Sequence, residues 1–196
     1  MKNRSGSHQL SRGGFTLIEV MVVVAIIGVM TSLSVVGYQS VMRNARTNGE
    51  ADMIAQFLKN ARLRAVSTGC PHVVRYVVPP TTSPMTAGSL TMYRKANCQL
   101  ATTDLPQTTT APLDVLVNRY ETTPNMWVVS SSAAANLAGR TYYVGFTVSG
   151  TPLSAYDNGT LTALGSATMS INVRARETEK YARDVTITGA GDVLAQ

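Results

Sequence analysis

Between Val20 and Met42 the chain carries no Asp, Glu, Lys or Arg, and from Val20 to Val36 it is almost wholly apolar. A helix needs about 17 to 25 such residues to cross roughly 30 Å of hydrocarbon, so this run is long enough to span a bilayer. Lys2, Arg4 and Arg12 precede it. By the positive-inside rule those cations hold the N-terminus in the cytoplasm and send everything after Met42 to the other side. One carboxylate, Glu19, stands at the threshold of the run. A charge within a spanning segment costs about 2.5 to 3.5 kcal/mol at the centre and less near the interface, so Glu19 needs a partner.

Three readings compete for this segment. A secretory signal has an apolar core of about 7 to 15 residues with a small-residue cleavage site on its far side, whereas this run is longer and holds Glu19 inside its beginning. A simple anchor accounts for the length and leaves Glu19 unexplained. The third reading starts upstream: Gly14-Phe15-Thr16-Leu17-Ile18-Glu19, ahead of a long apolar helix, resembles the class III signal of type IV prepilins and type II secretion pseudopilins. That resemblance implies cleavage between Gly14 and Phe15 by a membrane-embedded prepilin peptidase and methylation of the freed Phe15 amine. It also implies that Glu19 meets the cationic N-terminus of a neighbouring subunit. A carboxylate in an apolar bundle is costly unless paired, so subunits docked in register would neutralise Glu19 and others would not.

No proline occurs between Phe15 and Gly69, so nothing forces the helix to stop at the bilayer. Past Arg43 the pattern becomes amphipathic: Ile54, Phe57, Leu58, Ala61 and Ala65 recur at helical spacing, while Glu50, Asp52, Lys59, Arg62 and Arg64 fall on other faces. Many members of the resembled family have a proline where this chain has Val36, so any kink there must come from Gly37. Ser67-Thr68-Gly69-Cys70-Pro71 ends the helix, with Gly69 as the C-cap. Beyond it the period switches to two, and strands are predicted at Val73–Val78, Leu90–Arg94, Val115–Tyr120, Trp127–Ser131, Thr141–Val148, Thr168–Ala175 and Val185–Thr188. Thr102–Pro112 and Ser149–Ser166 read as long connections. The expected class is α+β. Residues 1–14 form the leader, 15–67 the helix with 15–42 its membrane part, and 68–196 an antiparallel β domain.

A finer resemblance lies outside the signal. Ala61-Arg62-Leu63-Arg64-Ala65-Val66, Val144-Gly145-Phe146-Thr147-Val148-Ser149-Gly150 and Val185-Thr186-Ile187-Thr188-Gly189 are similar to the GspH/FimT group of minor pseudopilins and minor pilins.

Cys70 and Cys98 are the chain's two cysteines. On the outer side of the membrane an even pair reads as a disulfide, worth roughly 3 kcal/mol for a loop of about 29 residues. A zinc site on Cys70, His72 and Cys98 would lack a fourth ligand and the usual spacing, so no metal and no cofactor is expected. Neither His8 nor His72 has acids nearby in sequence, and no nucleophile motif or phosphate loop occurs. An enzyme is not expected, and His72 reads as a surface or strand-end residue.

The net charge of +6 invites a nucleic-acid reading, but without Lys2, Arg4 and Arg12 it falls to +3, from 14 basic and 11 acidic residues. Some FimT-like proteins resemble DNA-uptake receptors that carry Gly-Arg-x-Arg near the C-terminus; at the matching place stands Gly189-Ala190-Gly191-Asp192. Phosphate binding needs clustered cations. Arg174, Arg176, Lys180 and Arg183 are interleaved with Glu177, Glu179 and Asp184, and DNA uptake ranks below the structural role. The resemblance thus implies a minor pilin of a type IV pilus, close to the tip and active in starting assembly, with a type II secretion pseudopilin as the alternative. Its partners would be the prepilin peptidase, the inner membrane and other pilins or pseudopilins.

Overall fold

The computed structural model describes residues 14–78, 87–100, 114–122, 126–130, 141–157, 159–175 and 182–196. The chain divides into two compact units, Met1–Met42 and Arg43–Gln196. One helix, α1 (Leu17–Thr68), supplies the regular structure of the first and enters the second.

Val-rich sequence such as Val20–Val24 has modest helix propensity in water. In an apolar medium, however, a helix is the only way a lone segment satisfies its own backbone groups. The hydroxyls here follow the same rule. Thr31 Oγ1 donates to the carbonyls of Ile27 (2.9 Å) and Gly28 (3.0 Å), and Ser32 Oγ donates to that of Val29 (2.7 Å). Ser40 Oγ donates to the carbonyl of Gly37 at 2.8 Å, and α1 continues through Gly37 without interruption. The helix ends as its sequence predicts: Gly69 follows Thr68 with φ +64°, the left-handed C-cap that a Cβ would disfavour.

In the second unit, ten strands among the described residues form two antiparallel sheets. Sheet A has the order β3-β2-β1-β5-β6-β7 and sheet B the order β10-β9-β8-β4. The strands are β1 (His72–Val77), β2 (Ser89–Lys95), β3 (Asp114–Glu121), β4 (Met126–Ser130), β5 (Thr141–Phe146), β6 (Pro152–Tyr156), β7 (Thr162–Ala163), β8 (Thr168–Ala175), β9 (Arg183–Thr188) and β10 (Val193–Ala195). All seven predicted strands are present to within two residues at either end. The segment 149–166, expected to be a plain connection, instead contributes β6 and β7 to the edge of sheet A. β6 owes its existence to pairing with β5 and β7 to pairing with β6, contacts that local periodicity does not carry.

The core lies where α1 meets both sheets. Ile54, Leu58, Ala61 and Ala65 pack with Val74, Tyr76, Leu90, Met92, Val144 and Phe146 of sheet A and with Met169, Ile171, Val173, Val185 and Ile187 of sheet B. The period-two pattern of β8 is realised, with Met169, Ile171 and Val173 buried and Ser170 and Asn172 half-buried. Full burial of one such aliphatic side chain is worth about 1.5 to 3 kcal/mol. A second cluster of Val73, Tyr143, Ala155 and Leu161 packs on the opposite face of sheet A.

Two charged features sit in this interior. Glu50, expected on a face of the helix other than that of Ile54 and Leu58, is only 6% exposed, and its Oε2 accepts the Tyr120 hydroxyl at 2.7 Å. A charge scores as polar in a helical apolar pattern, yet Glu50 lies one turn before Ile54 on the same face. Lys95 and Asp114, cross-strand partners of β2 and β3, pair at 3.0 Å with side chains 7% and 6% exposed.

Candidate functional site

The N-terminal site is built from Gly14 through the first turns of α1. Gly14 and Phe15 precede the helix and are open: a Cβ at Gly14 would meet nothing within 4 Å, and Phe15 is 85% exposed. The peptide bond between them is therefore unobstructed by the described part of the chain. Residues 1–13 lie outside the described residues.

Thr16 and Glu19 form a capping box, the reciprocal arrangement of Ser/Thr at the N-cap and Glu three residues later. Glu19 N–H donates to Thr16 Oγ1 (3.3 Å) while Glu19 Oε2 accepts from Thr16 N–H (3.4 Å) and from Thr16 Oγ1 (3.5 Å). The carboxylate also sits at the positive end of the helix dipole, which favours an anion there. Glu19 was expected to depend on another molecule for a partner; part of its hydrogen-bonding demand is met within its own first turn. The spacing Thr-x-x-Glu, visible in the sequence, is the signal that would have revealed this.

Downstream, Leu17, Ile18, Met21, Val24, Ile27 and Met30 are all more than half exposed. They lie on several sides of the helix, so this segment presents apolar surface all along its described length. Soluble monomers rarely expose contiguous apolar surface of this extent; such surface marks contact with a membrane or with other protein. The helix is long and apolar enough to cross a membrane.

At the far end of α1, Cys70 and Cys98 form a disulfide with Cα atoms 4.2 Å apart, tying the end of the helix to the turn after β2. His72, expected at a surface or strand end, begins β1 but is buried. Its Nδ1 lies 2.9 Å from the Cys70 carbonyl; a carbonyl only accepts, so Nδ1 carries the proton. Burial first, and then the nearby cations Arg64 and Arg94, push the imidazole below its usual range, against the opposing pull of that hydrogen bond. With both sulfurs bonded and Nδ1 engaged, the Cys70, His72, Cys98 trio does not form a metal site, and no cluster of three or more metal-ligating residues occurs among the described residues.

The cationic stretch weighed for nucleic acid falls mostly outside the described residues, as 176–181 do. Of its described members, Arg183 donates from Nε to Asn48 Oδ1 at 2.5 Å. Asp192, in the turn after β9, pairs with Arg62 at 3.2 Å, so the turn that would present arginines to DNA instead presents a carboxylate tied to the helix.

Residues 10–35 match the family model described as the prokaryotic N-terminal methylation motif. No curated protein matches the chain. Among solved structures, the chain is similar to two crystal forms of the type IV minor pilin FimU from Pseudomonas aeruginosa (strain PAO1). The form in space group P65 is 14% identical with a TM-score of 0.45, covering 76% of this chain and 90% of that one. The form in P21 is 13% identical with a TM-score of 0.46, covering 76% and 86%. The segment 14–35, with its open Gly14–Phe15 junction, capped Glu19 and exposed apolar side chains, is thus the described part of the stretch that matches the prokaryotic N-terminal methylation motif.

Proposed function

We propose that this chain is a minor pilin, a structural subunit that enters a type IV pilus through α1 and takes part in the tip or priming complex that starts assembly. The observation that carries the reading is the methylation motif at 10–35 heading a helix whose apolar side chains, among the described residues, are exposed from Leu17 to Met30. Prepilin peptidase cuts between Gly14 and Phe15 and the Phe15 amine is methylated. The chain first sits in the inner membrane with its N-terminus in the cytoplasm and Arg43–Gln196 in the periplasm, then passes into the filament beside other major and minor pilins.

Inside lipid, helices gain no hydrophobic drive toward one another. A buried charge pair between Glu19 and a neighbour's free N-terminus therefore contributes disproportionately to choosing the docked register. In this reading the role is structural rather than enzymatic. A type II secretion pseudopilus would use the same motif and helix, and the subunit found next to this chain after cross-linking decides between the two machines.

Mass spectrometry of the N-terminus tests the proposal. A chain beginning at methylated Phe15, recovered in sheared filaments, is the expected result. A chain that retains residues 1–14 in its working form would overturn it.

A further inference from the structure

The end of α1, the β5–β6 turn and the β9–β10 turn meet at one side chain, Arg62. Its Nη1 pairs with Asp192 Oδ1 at 3.2 Å and its Nη2 donates to the Ala190 carbonyl at 2.9 Å. Gly191, at φ +88°, passes so close that a Cβ there would lie 2.5 Å from the Gly150 carbonyl and 2.8 Å from Arg62 Nε. Helix, β5–β6 turn and β9–β10 turn are thereby clasped around one guanidinium. An exposed ion pair alone is worth little, but here it is joined by a backbone hydrogen bond and a glycine contact that no other residue permits.

The clasp forms one wall of an open groove lined by Lys59, Leu63, Val66, Ser149, Asp192 and Leu194. Leu63 is 68% exposed, and Val66 and Leu194 are each close to half exposed. Apolar residues from α1 and β10 thus share one rim. From Met53 to Thr68 the helix carries Lys59, Arg62 and Arg64 and no acid. Asp192 is committed to Arg62, so Lys59 leaves the groove with uncompensated positive charge.

We propose that this groove docks an acidic, apolar segment of a neighbouring filament subunit: aliphatic side chains against Leu63, Val66 and Leu194, and a carboxylate toward Lys59. The inference rests on the chain being a filament subunit. Apolar contact supplies the area and the charge supplies selection, the usual division at protein interfaces. A nucleic acid fits worse, because phosphates would meet Asp192 and an aliphatic wall with no stacking platform.

The test places a photo-crosslinking amino acid at position 63 of the full chain, in cells that assemble the filament. The expected adduct is a peptide of another subunit containing Asp or Glu. Lys59→Glu should lower the yield about tenfold, the scale of an interface residue that contributes more than about 1 kcal/mol, and Lys59→Arg should restore it. Each variant is first shown to keep its disulfide and its unfolding temperature. An adduct with nucleic acid or lipid, no adduct, or a yield indifferent to Lys59→Glu overturns the docking site. Absence of the unmodified chain from sheared filaments is a different failure, removing the filament reading and the docking site with it.

Discussion

Thr16 and Glu19 cap α1 reciprocally, the hydroxyl of one accepting the amide of the other at 3.3 Å while the carboxylate accepts back at 3.4 Å. The acid therefore has two physical tasks that can be separated. Gln at this position retains the capping box and removes the charge, whereas Ala removes both. If the charge selects subunit register, Glu19→Gln and Glu19→Ala are both cleaved and membrane-inserted and both incorporate poorly. The ratio of filament to membrane-bound chain measures this. Normal incorporation of Glu19→Gln would assign the residue to capping alone.

Cys70 and Cys98 close a loop with a sequence separation of 28, and the chain-entropy model values such a closure at roughly 3 kcal/mol. For a domain of this size that corresponds to a fall of roughly 6 to 12 °C in unfolding temperature. The double variant Cys70→Ser/Cys98→Ser should show it in a thermal melt, and the unsubstituted chain should take up alkylating agent only after reduction, since both of its cysteines are bonded.

Tyr120 and Glu50 hold the edge strand β3 to the helix through a hydrogen bond to a buried carboxylate. Burial, and then the hydrogen bond and charge of Glu50, raise the Tyr120 hydroxyl well above its ordinary range, as expected for a donor to an anion. Tyr120→Phe keeps the ring, which packs 6.5 Å centre to centre from Phe57, and deletes only the donor. A hydrogen bond to a charged group contributes about 1.5 to 3 kcal/mol, so urea unfolding of the variant should show a loss of that order with an unchanged m-value.

The elements most legible in the sequence are those whose signal is local. The apolar run, the helix end at Gly69 and the alternation of Met169, Ile171 and Val173 each announce themselves within a dozen residues. What was not legible depends on contacts distant along the chain. Glu50 is buried because Tyr120, seventy residues on, reaches it; Arg62 is a structural centre because Asp192, 130 residues on, pairs with it; β6 exists because β5 offers it an edge, and β7 because β6 does. At the N-terminal site, Gly14, Phe15 and Glu19 were readable from their spacing. Thr16 is equally readable by the capping rule, because Thr-x-x-Glu sets a hydroxyl and a carboxylate one turn apart at a helix start.

His72 gives the second unit a pH dependence whose sign is fixed by its surroundings. The folded protein favours the neutral imidazole, since burial and the charges of Arg64 and Arg94 depress its proton affinity, whereas in the unfolded chain the ring titrates near its ordinary 6.5. As pH falls through that value, the unfolded state binds a proton that the folded state refuses. Stability then declines with a slope of at most about 1.4 kcal/mol per pH unit, and the decline ends once pH drops below the folded value. Above about pH 7.5 both states are neutral and the contribution is flat. Urea unfolding between pH 7.5 and 5 should therefore show a loss that His72→Gln reduces, because a neutral amide has no proton to gain. Carboxylates titrating in the same range affect both proteins alike, so the difference between the two curves isolates the imidazole; coincident slopes would mean that His72 is freely protonated in the fold.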